Sequence, residues 1–249
     1  MKYSKLTFTL KDTPKPHFFI GSKMRGMLGY ALKDEVCINP TFKCEGCFYA
    51  GECAFYEMYE KENATHKYRL DFKLHSSKYK FSLLLFGALM KSEKMIEKSM
   101  NKALNSPSLV VKSKQKEVKE KKDIPKVLKL TFLTPLRIKK NNRFARNDIE
   151  LIDILRSIYK RERDMRDEPI VPLKIKQDYK MVMKSLKYQE ITRKSNKQQR
   201  HMNMGGLMGE MILSNVDAEV YRLLKLGEVL GVGKATVFGL GKIKIEEIG

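Results

Sequence analysis

The chain lacks the features that would place it in a membrane or in a secretory pathway. No segment approaches the roughly 20 apolar residues that a membrane-spanning helix needs. The best apolar run, 81–90, is about half that length and predicts a buried strand. Residues 1–10 alternate between apolar and polar and contain no apolar signal-peptide core. We therefore expect a cytoplasmic protein, in which thiols stay reduced.

Acidic residues are scarce relative to basic ones. The 249 residues include 50 Lys and Arg against 29 Asp and Glu, a formal net charge of +21. This excess favours a polyanionic partner, most simply a nucleic acid, although a generally basic protein without such a partner is the alternative. The sequence shows no paired carboxylates, no His/Cys nucleophile set and no Asp-rich metal site, which disfavours hydrolysis by two metal ions.

The segment 231–241, Gly-Val-Gly-Lys-Ala-Thr-Val-Phe-Gly-Leu-Gly, places four glycines around Lys234. Backbone amides of such a loop can bind an anion, and the missing Cβ atoms permit close approach. A P-loop is excluded because Glu228 occupies the first glycine position and Ala235 replaces the magnesium-binding Ser or Thr. A dinucleotide fingerprint is excluded because Thr236 occupies its third glycine position. The loop therefore predicts contact with phosphates of a different ligand.

A second basic segment runs from Lys187 to His201, where five Lys or Arg and one Glu alternate with amide and hydroxyl side chains. Such a turn between two strands suits contacts with phosphates and sugar hydroxyls. A solvated hairpin tip is the alternative interpretation.

All the cysteines of the chain lie within seventeen residues, at Cys37, Cys44, Cys47 and Cys53. In a reducing compartment this spacing predicts a structural zinc site, with an iron–sulfur cluster as the second choice. Buried thiols or a disulfide-tied loop are the alternatives. A site with four thiolate ligands would be closed, so it would stabilise the loop and would not catalyse.

The first half of the chain has the element order β-α-β-β-α-β, which is typical of a ferredoxin-like fold. We predict a strand at 2–10, a helix at 21–35 capped by Ser22, a hairpin of 68–75 with 78–86, a helix at 91–104 and a strand at 109–118.

The second half repeats the order, with a strand at 127–139, a helix at 147–163, extended segments at 188–192 and 203–213, a helix from Asp217 to Val229 and a last strand at 242–246. We also expect helix around 173–186. The fold class is thus α+β, with two tandem ferredoxin-like (RRM-like) domains, 1–124 and 125–249, and a cysteine-rich loop at 37–56 inserted after the first helix.

Four segments, in this order, resemble the CRISPR-associated endoribonucleases that process precursor CRISPR RNA, the Cas six family of the RAMP superfamily. They are 23–32, 44–56, 195–209 and 231–241. The resemblance implies two ferredoxin-like domains that bind a CRISPR repeat RNA. It also implies metal-independent cleavage by the 2′-OH, which leaves a 2′,3′-cyclic phosphate and a 5′-hydroxyl, with no cofactor for catalysis.

The resemblance also points to site residues. As general base or acid we predict His17 or His201, with Lys23, Arg25 and Tyr30 supporting the phosphate. Relatives often carry a histidine two residues before the Gly-Lys pair of the glycine loop, where this chain has Gly231. The predicted RNA-binding residues are Arg193, Lys194, Lys197, Arg200, Gly231, Gly233, Lys234, Gly239 and Gly241.

Other CRISPR effector subunits are further candidate partners. The alternative function is a non-catalytic RAMP subunit that binds RNA within a CRISPR effector complex. A zinc-containing transcription factor is disfavoured, because neither a helix-turn-helix nor a Cys₂His₂ finger spacing is visible.

Overall fold

The structure is a computed structural model that describes residues 1–16, 19–118, 123–195 and 200–248. The chain forms two compact units, Lys2–Glu117 and Val118–Gly249, the second of which includes Met1. Each unit has its own four-stranded antiparallel sheet and two helices. In the described part of the chain, no helix combines the length and the apolarity that a membrane crossing requires. The domain limits inferred from the sequence stay predictions.

The first unit has the βαββαβ order. Its elements are β1 (Lys2–Leu10), α1 (Gly21–Val36), β2 (Tyr68–Phe72), β3 (Tyr79–Leu85), α2 (Glu93–Leu104) and β4 (Leu109–Glu117). The sheet order is β2-β3-β1-β4, with all neighbours antiparallel. A π-helical turn, Tyr56–Glu60, precedes β2 and a 3₁₀ segment, Gly87–Ser92, precedes α2. This arrangement confirms the first ferredoxin-like domain.

Periodic apolar residues explain why these elements form. In β1 the buried residues Leu6, Phe8 and Leu10 alternate with half-buried ones, as one face of a sheet requires. In α1 the fully buried Met24, Leu28 and Leu32 recur every four residues and make one apolar stripe. Helices α1 and α2 pack together and are bridged at the surface by two ion pairs, Lys98–Glu35 and Lys102–Asp34.

The predicted cap of α1 is wrong. The helix begins at Gly21, and its N-cap is Ile20, which makes no side-chain cap hydrogen bond. Ile20 is fully buried and its carbonyl accepts the amide hydrogen of Met24 at 2.9 Å. Burial of this apolar side chain therefore sets the start of the helix, and Ser22 falls inside the first turn.

The second unit repeats the βαββαβ order and adds two small hairpins. Its elements are β5 (Val127–Leu136), β6 (Lys139–Lys140), β7 (Arg143–Phe144), α3 (Leu151–Met165), β8 (Lys180–Gln189), β9 (Thr192–Ser195), β10 (Arg200–Asn203), β11 (Gly206–Ser214), α4 (Ala218–Leu230) and β12 (Ile243–Glu247). The main sheet has the order β12-β5-β11-β8, while β6 pairs with β7 and β9 with β10. The second ferredoxin-like domain is thus also confirmed.

The helix expected around 173–186 is wrong, because Lys180–Gln189 forms strand β8. This strand lies at the edge of the sheet and pairs with β11 along its whole length. Backbone pairing with a neighbour that is distant in sequence overrides the local helical pattern.

Both helix starts in the second unit depend on acidic caps. Helix α3 begins at Leu151 and not at 147, because Glu150 and Asp153 form a reciprocal capping box. The predicted cap of α4 is confirmed, since the Asp217 carboxylate accepts the amide hydrogen of Val220 at 2.7 Å.

Replacement of Gly241 by alanine tests the tightest backbone contact of this unit. Gly241 has a φ of 68°, and a Cβ there would lie 1.8 Å from the carbonyl oxygen of Val232. We expect Gly241→Ala to lower the free energy of unfolding by about 3 kcal/mol, because both strain and a backbone clash result.

The matched control is Gly26→Ala within α1, where a Cβ would meet nothing within 4 Å. This change should raise stability by about 0.5–1 kcal/mol, since alanine favours the helix. Denaturant unfolding measures both variants, and equal effects would contradict the packing explanation.

Candidate functional site

The glycine-rich segment 231–241 closes on itself and on the end of β5. The amide of Val232 donates to the carbonyl of Gly241 at 2.8 Å, and the amide of Gly241 donates to the carbonyl of Pro135 at 3.0 Å. All four glycines have positive φ angles, between 68° and 84°. Such angles favour glycine, so backbone geometry within the unit by itself explains these residues.

The middle of the loop is attached to β5 and α3. The amide of Lys234 donates to the carbonyl of Arg137 at 2.8 Å, and the amide of Gly233 donates to Ser157 Oγ at 2.9 Å. A Cβ on Gly233 would lie 2.4 Å from the Arg137 carbonyl oxygen. Lys234 is the one exposed residue of the segment, and the other ten are buried or half-buried. The cation of Lys234 is therefore what this loop presents most openly to a phosphate.

A buried charge network holds the start of the loop. Arg161 of α3 is buried, and its Nε donates to the carbonyl of Leu230, the last residue of α4, at 2.9 Å. The neighbouring Glu162 accepts two hydrogen bonds from Arg222, at 2.9 and 3.0 Å. Hydrogen bonds to Glu219 and Glu162 raise the pKa of Arg222, so this arginine stays cationic. The two helices are thereby tied where the loop begins.

An arginine that the sequence analysis missed lies beside the loop. The half-buried Arg137 donates from Nη1 to the carbonyl of Gly205 at 2.7 Å and lies 4.2 Å from the ring centre of Phe144. Burial lowers the pKa of its guanidinium from the usual value, while Tyr188 and Glu190 act in the opposite direction. The signal in the sequence is the run of cations from 137 to 146, of which only the first part falls in the predicted strand at 127–139.

The predicted basic turn is a two-stranded hairpin between β8 and β11. Within it His201 pairs with Lys194, and Arg200 pairs with Ser195. The backbone thus brings Arg193, Lys194, Arg200 and His201 onto one hairpin. Lys197 lies outside the described residues. The roles of these side chains stay predictions.

The three residues of α1 that were predicted to support the phosphate, Lys23, Arg25 and Tyr30, do not share one environment. Lys23 and Tyr30 are exposed, and Tyr30 is 77% accessible. Seven residues span about two helical turns, so these two side chains share one face. His17 precedes the helix and lies outside the described residues.

Arg25 is held differently, against two tyrosines. Its Nε donates to the hydroxyl of Tyr68 at 2.9 Å, and its guanidinium lies 4.6 Å from the ring centre of Tyr59. The hydroxyl of Tyr59 donates to the Arg25 carbonyl at 2.7 Å. Burial raises the pKa of Tyr59 well above its usual value, so the phenol stays protonated. Gly29 makes room for this ring, since a Cβ there would lie 2.9 Å from it.

The four cysteines are free thiols and half-buried. Together they line a single cavity of about 20 Å³, with Phe55 and Tyr49 among its other walls. Burial raises the pKa of Cys44, and the nearby Cys53 and Cys37 add to that effect. Within the described ranges, no three metal-ligating side chains already converge as a ligand set. Phe55 of this loop stacks on Tyr59 at 5.1 Å, and the ammonium of Lys33 of α1 lies 5.0 Å from the Phe55 ring centre.

Comparison with sequence families gives two matches and covers both units. Residues 130–243 match the family described as CRISPR-associated endoribonuclease Cas6. Residues 1–120 match a second family, described as an N-terminal domain. A comparison with curated protein sequences returns no match.

Several solved structures share the fold over nearly the whole chain. A product complex of Thermus thermophilus Cas6 superposes with a TM-score of 0.63 at 13% identity and covers 99% of both chains. A RAMP protein that binds different RNA substrates gives 0.54 at 13% identity, covering 99% of this chain and 100% of that one. The product of a Cas6-related gene from Pyrococcus furiosus gives 0.53 at 15% identity, with 100% and 99% covered.

At these identities the likeness concerns the fold, whereas the family match concerns the sequence of the second unit, which includes the glycine loop up to Gly241. By this match the second unit belongs to the CRISPR-associated endoribonuclease Cas6 family, and the chain as a whole shares the fold of solved Cas6 structures.

Proposed function

We propose that the protein is a cytoplasmic endoribonuclease that binds CRISPR repeat RNA and cleaves precursor CRISPR RNA without a catalytic metal. The family match over 130–243 carries this proposal. The net charge of +21 suits an RNA partner. Related structures are a Cas6 product complex and a partial complex of Cas6-RT-Cas1 with Cas2, which supports RNA and other Cas proteins as partners.

The chemistry requires three things of the protein, since the nucleophile is the 2′-OH of the RNA itself. The protein must align the hydroxyl with the scissile phosphate, it must deprotonate the hydroxyl, and it must balance the charge of the phosphorane. We assign His17 or His201 to proton transfer. We assign Lys23 and Tyr30, which share the exposed face of α1, to the phosphate.

Arg25 has a different position within this scheme. Its guanidinium is half-buried and already bound to Tyr68 and stacked on Tyr59. We therefore propose that Arg25 supports the phosphate mainly by holding α1, with its cation as a secondary contribution to the local positive charge.

RNA binding in this proposal uses the second unit. The cation of Lys234, together with Arg193, Lys194, Lys197 and Arg200 of the β9–β10 hairpin, would contact the RNA backbone. Gly231, Gly233, Gly239 and Gly241 would contribute to RNA binding through the backbone shape of the loop, which leaves the Lys234 cation exposed. Contacts of this kind position the RNA and make binding steeply salt-dependent.

A cleavage assay in EDTA tests the proposed activity. The full-length protein is incubated with end-labelled repeat RNA, and we expect one major cut with a 2′,3′-cyclic phosphate on the upstream product. Absence of cleavage from about pH 6 to 9, where a histidine or lysine base titrates, together with intact RNA binding, would favour the non-catalytic RAMP subunit.

The matched control is the same RNA with a single 2′-deoxyribose immediately upstream of the cut. It should bind with unchanged affinity and remain uncleaved. Cleavage of this RNA at the same site would refute attack by the 2′-OH.

Separate substitutions of the two histidines identify the proton-transfer group. We expect His17→Ala or His201→Ala to lower the cleavage rate on the order of 10²–10⁴-fold, because general acid–base catalysis contributes that much. RNA affinity should change little in these variants. Single-turnover rates across pH, with His75→Ala as a control on the β2–β3 turn, measure this effect. Full activity in both variants would exclude His17 and His201 as the base.

We further propose that the four cysteines bind one structural zinc ion. All four side chains line the same small cavity, although the thiols have not converged. Thiolates repel one another, so convergence requires the ion, and binding is thereby coupled to ordering of the loop. A cavity of about 20 Å³ suits a single ion better than an iron–sulfur cluster. Four thiolates would stabilise the loop and leave no open position for catalysis.

Metal analysis of protein purified without added metal tests this site. We expect close to one zinc per chain, and much less in Cys44→Ser and Cys47→Ser. Chelator should lower the melting temperature of the wild type and leave that of Cys47→Ser unchanged. Clearly substoichiometric zinc and iron in the wild type would exclude the site, and stoichiometric iron with inorganic sulfide would favour the cluster.

A further inference from the structure

The segment that follows β5 carries an unusual concentration of positive charge. Between 137 and 146 there are five cations and no acidic residue. Part of it forms the β6–β7 hairpin, whose central Asn141 and Asn142 have φ angles of 50° and 61°. Two consecutive left-handed residues are typical of a tight two-residue hairpin turn, which projects its flanking side chains outward. The exposed cations of the segment are Lys139, Lys140, Arg143 and Arg146.

Two aromatic rings lie among these cations. Phe144 has the guanidinium of Arg137 4.2 Å from its ring centre and the ammonium of Lys139 at 5.6 Å. Tyr188, near the end of β8, has the guanidinium of Arg146 at 5.2 Å. Both rings are half-buried, so part of each remains open to solvent. We call Arg137, Lys139, Arg143, Phe144, Arg146 and Tyr188 the arginine–aromatic cluster.

Backbone contacts hold this cluster beside the glycine loop. Arg137 donates to the carbonyl of Gly205, and its own carbonyl accepts the amide of Lys234. A Cβ on Gly205 would lie 2.6 Å from the hydroxyl of Tyr188, so the tyrosine packs directly on the backbone there. One carboxylate oxygen of Glu190, Oε1, accepts a hydrogen bond from the Gly205 amide at 3.0 Å.

Little negative charge offsets these cations. Lys140 pairs with Asp153 at 3.6 Å. In the described part of the second unit, no ion pair is recorded for Lys139, Arg143 or Arg146. An anionic ligand would therefore meet cations that need not first leave a carboxylate.

We propose that the arginine–aromatic cluster binds a single-stranded segment of RNA, with one nucleobase stacked at Tyr188 and Arg146 and the adjoining phosphates at Lys139 and Arg143. Stacking requires an exposed base face, which a duplex hides. A single strand can use both kinds of group in this cluster, because its bases stack on the rings and its phosphates contact the cations. This inference rests on the RNA binding proposed above and adds the strandedness of the segment and the residues that read it.

Two kinds of variant separate stacking from charge. Tyr188→Leu removes the ring and keeps apolar volume, whereas Tyr188→Phe keeps the ring. We expect Tyr188→Leu to weaken binding of fluorescent single-stranded repeat RNA about tenfold, as loss of one base stack does, with an unchanged salt slope. Tyr188→Phe should bind like the wild type.

Lys139→Ala with Arg143→Ala should instead reduce the slope of log affinity against log salt by roughly 1.4, because two phosphate contacts are lost. Lys160→Ala, an exposed cation on α3, is the matched control and should leave affinity and slope unchanged. Thermal unfolding checks the fold of each variant, and we expect every melting temperature to equal that of the wild type.

Heparin, a polyanion without bases, distinguishes the two contributions further. It should bind Tyr188→Leu as well as the wild type and bind the double variant more weakly. Equal losses for heparin and RNA in Tyr188→Leu would overturn the stacking role. If the wild type binds repeat RNA and all variants bind it equally, the cluster is not a binding site. If the wild type itself fails to bind, the proposed function fails first.

Discussion

The close approach of the glycine loop to the end of β5 is the constraint on which the second unit depends. Gly241 and Gly233 bring the loop backbone against the carbonyls of Val232 and Arg137, at distances that a Cβ would not permit. This approach leaves Lys234 as the exposed residue of the loop and sets the position of Arg137. The same contact thus supports the fold and brings together the cations that we assign to RNA.

In the first unit a different interaction has the comparable role. Arg25 joins Tyr59 and Tyr68 through hydrogen bonds and ring stacking, and Tyr59 stacks in turn on Phe55 at the end of the cysteine-rich loop. The polar atoms of this partly buried group satisfy one another, so the group costs little to bury. It links the cysteine-rich loop to helix α1, whose opposite face presents Lys23 and Tyr30. A metal bound by the cysteines would therefore act on helix α1, whose exposed face we assign to the phosphate, only through packing.

Much of the fold was predictable because it rests on local periodicity. The alternation in β1, the stripe of Met24, Leu28 and Leu32, and the Asp217 cap all follow from the chain itself. The failures have the opposite origin. The sequence predicts helix around 173–186, where most of β8 forms, because the partner strand β11 is distant in sequence. Helix α1 starts before Ser22 because tertiary burial of Ile20 decides the first turn. Arg137 and Tyr188 could not be paired in advance, since contacts between strand ends bring them together.

The sequence by itself determined the two βαββαβ units, the excess of positive charge, the grouping of the cysteines and the family to which the glycine loop belongs. These properties depend on composition, spacing and short-range pattern. Only the tertiary structure decided which cations are open to a ligand, that Arg25 turns toward two tyrosines, and that the rings of Phe144 and Tyr188 lie among the cations that follow β5. Such facts depend on which backbone atoms approach one another across the sheet, and no local pattern encodes those distances.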